Sequence, residues 1–135
     1  MRIVRLSWWT VALAAVLACG CASGSQEPGA AAAAAVVKMT NFDYEPGTVR
    51  VRAGETVEWQ NKSIVSSHTV TCDAAKARDA SAHVALPAGA EPFDSGKVKA
   101  KGTYRHTFAV PGQYRYFCIP HEGMGMVGEV EVVTP

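Results

Sequence analysis

The chain has 135 residues, with 13 basic and 12 acidic residues and a formal net charge of +1. This length is sufficient for one globular domain of ordinary size and is short for two. The near balance of charge argues against nucleic acid or an anionic membrane surface as the partner.

The first 35 residues differ in composition from the rest of the chain. Arg2 and Arg5 precede an apolar run over residues 6–18, which is shorter than the roughly 20 residues that a membrane span needs. This pattern predicts a signal peptide for export over residues 1–18. Residues 19–35 are mainly Gly, Ala and Ser without a bulky apolar side chain, so we expect a flexible tether. The folded domain is expected over residues 36–135.

The end of the apolar run, Val16-Leu17-Ala18-Cys19, resembles the lipobox at which bacterial lipoproteins are cut and acylated on the cysteine. Cys21 is a second candidate for the modified residue. The resemblance implies a lipid on Cys19 that holds the domain at a membrane, in the periplasm or on the outer face of the cell membrane. A soluble form released by signal cleavage is the alternative.

From residue 36 onward, short runs alternate between apolar and polar residues and are separated by Gly and Pro. Residues 73–101 lack this period and are predicted to be a surface insertion with one helical turn over residues 74–80. About seven to eight short strands with little helix predict an all-β fold, a Greek-key β-sandwich. Strands are expected over residues 36–40, 49–52, 56–60, 68–72, 103–110, 113–118 and 126–133.

Strand parity places three residues with metal-binding side chains at one end of this sandwich. His68 shares a face with Val70 and opens its strand, so its side chain is expected to point inward. Cys118 ends another strand and Met126 opens the last one, again with the parity of core residues.

The loop between these last two strands carries a thiol (Cys118), an imidazole (His121) and two thioethers (Met124 and Met126). Such soft and borderline ligands suit copper. A short Cys/His spacing also occurs in zinc sites. Copper is favoured because His68 supplies a remote ligand and no second Cys/His pair with zinc spacing is present.

Residues 118–128, Cys-Ile-Pro-His-Glu-Gly-Met-Gly-Met-Val-Gly, resemble the Cys-x-Pro-His-x-Gly-x-Gly-Met-Val-Gly loop of plastocyanin and pseudoazurin. The likeness extends over residues 36–133. This resemblance to cupredoxins implies a cupredoxin-like sandwich and an electron-transfer protein rather than an enzyme. It also implies one type 1 copper that cycles between Cu(II) and Cu(I), with His68, Cys118, His121 and Met126 as its ligands.

The two methionines leave an ambiguity about the axial ligand. Met124 has the Cys-x2-His-x2-Met spacing found in amicyanin, whereas Met126 has the Cys-x2-His-x4-Met spacing of plastocyanin. Strand parity and the following Val127-Gly128 favour Met126. Met124 is then expected to be exposed beside His121 and to contact a partner.

The exposed edge of His121 is the predicted route for electrons, with a rim that includes Ile119, Pro120, Met124 and Val127. Such a small apolar surface suits transient contact with a redox donor and a redox acceptor.

Two positions depart from the plastocyanin pattern. Phe117 stands where plastocyanin has an outward Tyr used in docking, so that docking route is in doubt. Thr69 stands where plastocyanin has Asn. The sequence does not decide whether the shorter Thr69 hydroxyl replaces the hydrogen bonds by which that Asn braces the ligand loop.

Three further residues could also bind metals. His106 is interpreted as a core or rim histidine, His83 as a solvated side chain of the insertion, and Cys72 as a buried free thiol. If Cys72, His83 and the two methionines were instead spare ligands, the protein would be an envelope copper-binding or copper-delivery protein. A module of a larger copper oxidase or nitrite reductase is a third hypothesis, but the chain has no His-x-His pair of the kind that multicopper sites require.

Overall fold

A computed structural model describes residues 32–135. The predicted signal peptide, most of the predicted tether and the lipid candidates Cys19 and Cys21 lie outside this range. Among the described residues the helices are short: two 3-10 helices (Ala74–Lys76 and Ile119–Met124) and α1 (Ala80–His83). None of them is long and apolar enough to cross a membrane. The strands are β1 (Ala35–Met39), β2 (Tyr44–Glu45), β3 (Thr48–Arg52), β4 (Thr56–Asn61), β5 (Thr71–Cys72), β6 (Phe93–Asp94), β7 (Thr103–Thr107), β8 (Gly112–Phe117) and β9 (Val127–Val133).

These strands form two mixed sheets. One has the order β2-β1-β4-β7 and the other β3-β9-β8-β5-β6. The pairs β1/β4 and β3/β9 are parallel, whereas β4/β7 and β8/β9 are antiparallel. The predicted all-β sandwich is confirmed. The described residues have nine strands rather than the seven to eight predicted. The strands β2 and β6 were not predicted because, with two residues each, they are too short to show a period of two.

The core lies between the two sheets and follows the alternation of the strands. In β3 the valines are buried and Thr48 and both arginines are exposed, and β9 buries every second residue. The first sheet contributes Trp59, whose ring lies 5.3 Å from that of Tyr116 in the second sheet. The fully buried aromatic side chains of this core are Trp59, Phe108 and Tyr116, whereas Phe117 is buried on the opposite face of β8, beside His83.

The insertion packs more closely than the sequence predicted. Phe93 and Val98 are buried, and β6 pairs with β5 as an added edge strand. The predicted strand over residues 68–72 is reduced to Thr71–Cys72, with His68 in an isolated bridge to Val98. Because these inserted residues cover the outer face, Thr71 is buried as well as its inward neighbours.

Candidate metal centre

One end of the sandwich collects the predicted ligands. β8 ends at Phe117, Cys118 then caps the 3-10 helix Ile119–Met124, and β9 begins at Val127. His68 reaches the same end from the segment between β4 and β5. Two backbone hydrogen bonds of 2.8 and 3.1 Å with Val98 hold it there.

The ligand atoms of His68, Cys118 and His121 all lie within 4.8 Å of one another. The Cys118 Sγ atom is 3.3 Å from Nδ1 of His121 and 3.7 Å from Nδ1 of His68. His68 and Cys118 are fully buried, whereas His121 is half-buried. Within residues 32–135 this is the one cluster of three or more such side chains compact enough to hold a metal ion.

The two methionines of the loop have opposite environments. Met126 is fully buried, its carbonyl accepts the N–H of Cys118 at 3.1 Å, and its own N–H donates to the His121 carbonyl at 3.4 Å. Met124 is 63% exposed. Gly125 separates them with a φ of 77°, a left-handed conformation that reverses the chain at the end of the helix. The thioether of Met126 is therefore available to the buried cluster, and that of Met124 to solvent.

Burial shifts the pKa values of Cys118 and His68. Burial raises the pKa of the Cys118 thiol, although the Thr69 N–H, 3.4 Å from the sulfur, opposes the shift by stabilising the thiolate. Burial and the neighbouring His121 lower the pKa of His68, which favours its neutral imidazole. A buried thiol beside two imidazoles and a thioether fits a copper ion, because the cation stabilises the thiolate that burial otherwise disfavours.

A chain of hydrogen bonds braces the backbone next to Cys118. The N–H of Ile119 donates to Thr69 Oγ1 at 2.9 Å, and the hydroxyl oxygens of Thr69 and Thr71 are 3.0 Å apart. Thr71 donates to Asp94 at 2.9 Å, and Lys76 pairs with Asp94 at 2.6 Å. The Thr69 hydroxyl, although shorter than the Asn side chain of plastocyanin, thus forms a hydrogen bond to the ligand loop. The sequence alone did not decide this point.

Glu122 is a residue of the site that the sequence did not indicate. Its side chain is 2% exposed, and every donor to it comes from the insertion. The backbone N–H groups of Arg78 and Asp79 donate at 2.9 and 3.1 Å, and His83 Nδ1 lies at 2.8 Å. Burial raises the pKa of the Glu122 carboxyl, but the His83, Arg78 and Asp79 bonds outweigh it and the net shift is downward. The interpretation of His83 as a solvated side chain is therefore wrong.

The surface over the cluster is apolar and small. The half-buried His121 ring lies 5.3 Å from the ring of Phe42, which is 45% exposed. Met124 extends from the same loop. Phe117 is fully buried, with its ring 6.4 Å from that of His83, so it presents no aromatic side chain to a partner.

The other candidate residues lie away from this cluster. Cys72 is a buried free thiol, as predicted. Its Sγ lies 3.3 Å from the Ala85 carbonyl, and burial raises its pKa to about 12. The ring of His106 stacks on Phe93 with 4.1 Å between centroids, which agrees with a histidine at the rim of the core.

Comparison with known proteins agrees with this geometry. The family described as "Copper binding proteins, plastocyanin/azurin family" matches residues 31–133. Plastocyanin of Synechococcus is 32% identical over 112 residues, covering 76% of each chain. Chloroplastic plastocyanin of Tetradesmus obliquus is 36% identical over 93 residues, covering 66% of this chain but just 57% of that protein.

Solved structures give the same relationship. A pseudoazurin from Sinorhizobium has a TM-score of 0.58 and 29% identity over 75% of this chain and 74% of its own. A copper-containing nitrite reductase from Thermus scotoductus has a TM-score of 0.59 and 27% identity, but the match covers just 22% of that chain. The chain therefore belongs to the plastocyanin/azurin family of copper-binding proteins, and its cofactor is copper.

Proposed function

We propose that this protein carries single electrons between redox proteins outside the cytoplasm, on one type 1 copper bound by His68, Cys118, His121 and Met126. The observation that supports it best is the convergence of two imidazoles and a thiol within 4.8 Å beside the buried Met126. Two histidines and a cysteine with a weak axial methionine are the ligands of blue-copper electron-transfer sites.

When bound, copper supplies the one-electron redox couple. The protein's contribution is to hold the ligands so that little moves between the two oxidation states. His68 and Cys118 are buried and tied to Val98 and Thr69, and the Met126 backbone bonds to its neighbours in the loop. Such supporting contacts fix the first-shell geometry in advance.

The ligand set also argues against an enzyme. Four protein donors leave no open position for a substrate, in contrast to catalytic metal sites, which keep one. The nitrite reductase resemblance covers a small part of that chain and concerns a single cupredoxin domain. Electrons are expected to pass through the half-buried edge of His121, with Met124 and Val127 beside it in contact with the partner.

The copper-delivery alternative loses its supporting residues. It requires Cys72 and His83 as spare ligands, but Cys72 is buried against the Ala85 carbonyl and His83 is engaged by Glu122. Met124 alone remains exposed. Electron transfer is therefore the function that we favour.

The test of the proposed function is spectroscopic. Added Cu(II) is expected to produce an intense visible thiolate-to-copper band and a narrow copper hyperfine splitting in the EPR spectrum. Met126→Leu should alter both spectra, whereas Met124→Leu, at an exposed position, should leave them unchanged. A pale protein would contradict the carrier, and a spectral change confined to Met124→Leu would contradict the assignment of the axial ligand.

Membrane tethering is the second part of the proposal and depends on the sequence around Cys19. Metabolic labelling with a fatty acid should mark the exported protein, and Cys19→Ser should abolish the label. Cys21→Ser is the matched control, since it removes the second candidate. A label that survives Cys19→Ser and is lost in Cys21→Ser would move the lipid to Cys21, and an unlabelled protein would contradict the anchor.

A further inference from the structure

Four exposed lysines lie in two segments that meet beside His68, the loop after β4 and the segment before β7: Lys62, Lys97, Lys99 and Lys101. We call them the basic face. Lys97 and Lys99 flank Val98, whose backbone is paired with that of His68. Lys97 and Lys99 therefore lie next to the backbone of a predicted copper ligand, His68.

The buried side chain of Asn61 fixes the two segments that carry these lysines. Its Nδ2 donates to the carbonyls of Ser66 and Val98 at 2.8 and 3.0 Å. Its backbone carbonyl accepts the N–H of Lys101 at 3.1 Å. The loop after β4 and the segment before β7 are thus held together, so the four charges occupy one fixed region of the surface.

The charges of the basic face are not neutralised within the described part of the chain. None of the four lysines forms an ion pair there, whereas Lys76 and Arg115 pair with carboxylates at 2.6 and 2.8 Å. The carboxylate of Glu122, in the ligand loop, is taken up by donors of the insertion. Residues 32–135 contain eleven basic and eleven acidic residues, so the basic face is a local excess of positive charge.

Two large apolar side chains are exposed in the same region. Ile64 is 76% and Val65 86% exposed, in the loop that begins with Lys62. Apolar residues with a charged rim are typical of protein contact surfaces.

We propose that the basic face docks the protein onto a redox partner whose contact surface carries a cluster of aspartate or glutamate side chains. This inference rests on the proposed electron-transfer function. Complementary charge would orient the partner toward the His121 edge and accelerate encounter. An anionic bilayer offers the same charge, but a bilayer against this end would cover the edge through which electrons pass, so we favour a protein.

The test uses the copper-loaded, reduced protein and two small oxidants of opposite charge, ferricyanide and tris(phenanthroline)cobalt(III). The bimolecular rate with ferricyanide should fall about tenfold as the ionic strength rises from about 10 to 300 mM, because salt screens the attraction. The rate with the cobalt complex should rise or stay constant. Replacing all four lysines with glutamine should lower the low-salt ferricyanide rate about threefold or more and flatten its salt dependence.

Lys38→Gln is the matched control, since Lys38 is an exposed lysine of β1 outside the basic face and should leave both rates unchanged. Titration with hexaglutamate should shift backbone amide signals at Lys62 and Lys99 in the NMR spectrum of the Cu(I) protein. These shifts should be absent in the fourfold variant.

The outcomes separate this inference from the proposed function. A protein that exchanges electrons with neither oxidant contradicts the function itself. A protein that exchanges with both but shows no salt dependence, or the same dependence in the fourfold variant, overturns the basic face alone. Binding to phosphatidylglycerol vesicles that the fourfold variant loses, without binding of hexaglutamate, would overturn the protein partner in favour of a membrane.

Discussion

Glu122 links the ligand loop to the insertion, because Arg78, Asp79 and His83 satisfy its buried carboxylate. Glu122→Gln keeps the shape but replaces one acceptor oxygen with an NH2 group that faces the N–H of Arg78. We expect copper affinity to fall about tenfold, the lower end of the effect of residues that orient metal ligands. Competition with a Cu(I) chelator measures this loss.

Glu131→Gln provides the control for Glu122→Gln. Glu131 is a partly exposed carboxylate of β9, paired with Arg50 at 3.7 Å, and among the described residues it has no hydrogen bond to the ligand loop. Equal copper affinities of the two variants would show that the contact between Glu122 and the insertion does not position His121.

His106 makes stability depend on pH, because burial lowers the pKa of its ring below the ordinary value of 6.5. The unfolded chain therefore takes up a proton near pH 6.5 that the folded protein resists. This stabilisation is present above that pH and is lost as the pH falls toward the folded pKa. In urea unfolding, the wild type should lose more stability between pH 7.5 and 5.5 than His106→Gln. Parallel pH profiles of the two proteins would contradict the prediction.

At the scale of the elements, alternation was sufficient to predict the strands that face the core on one side. Val49 and Val51 in β3 and Val130 and Val132 in β9 are buried as parity required. The same parity placed the side chains of His68 and Cys118 inward, and both are fully buried. The spacing of Cys118, His121 and Met126 could also be read directly from the sequence, since these three residues lie in one loop.

The insertion could not be predicted in this way. Its burial depends on contacts with distant elements: Phe93 stacks on His106, and His83 reaches Glu122, 39 residues away. Neither contact leaves a period in the sequence. Once the insertion covers β5, Thr71 is buried on the face that alternation assigns to solvent. Thr71 shares that face with its register partner Phe117, and its hydroxyl contacts Thr69 and the more distant Asp94.

The pairing of β8 with β9 depends on a glycine. Gly128 lies opposite Tyr116, and a Cβ at this position would be 2.5 Å from the tyrosine ring. Because Tyr116 is fully buried, its ring has no room to move. Gly128→Ala should lower the free energy of unfolding by about 1–3 kcal/mol, the usual range for overpacking. Gly47→Ala is the control in denaturant titrations, since its nearest atom would be 3.8 Å away and the loss should be smaller.

At the scale of the whole molecule, the supports of the copper site are built from protein contacts. The Asn61 bonds, the Thr69 hydroxyl and the Glu122 carboxylate hold the segments around the ligands by hydrogen bonds between residues of the chain itself. The sandwich core lies between two sheets, and the four ligand residues lie outside the strands of both sheets. We therefore expect copper to add stability to a domain that folds without it, unlike small domains that are unfolded without their metal.

Removal of copper tests this expectation. The copper-free protein should keep a β-rich circular dichroism spectrum and a cooperative thermal transition. Copper that binds just the folded state should raise its stability by about 4 kcal/mol at a free concentration 1,000 times the dissociation constant. For a domain of this size the melting temperature should then rise by about 10 °C or more. Cys118→Ser, which removes the thiolate, should show a much smaller rise on addition of copper. An unfolded copper-free protein would mean that the metal, rather than Asn61, Thr69 and Glu122, organises this end of the sandwich.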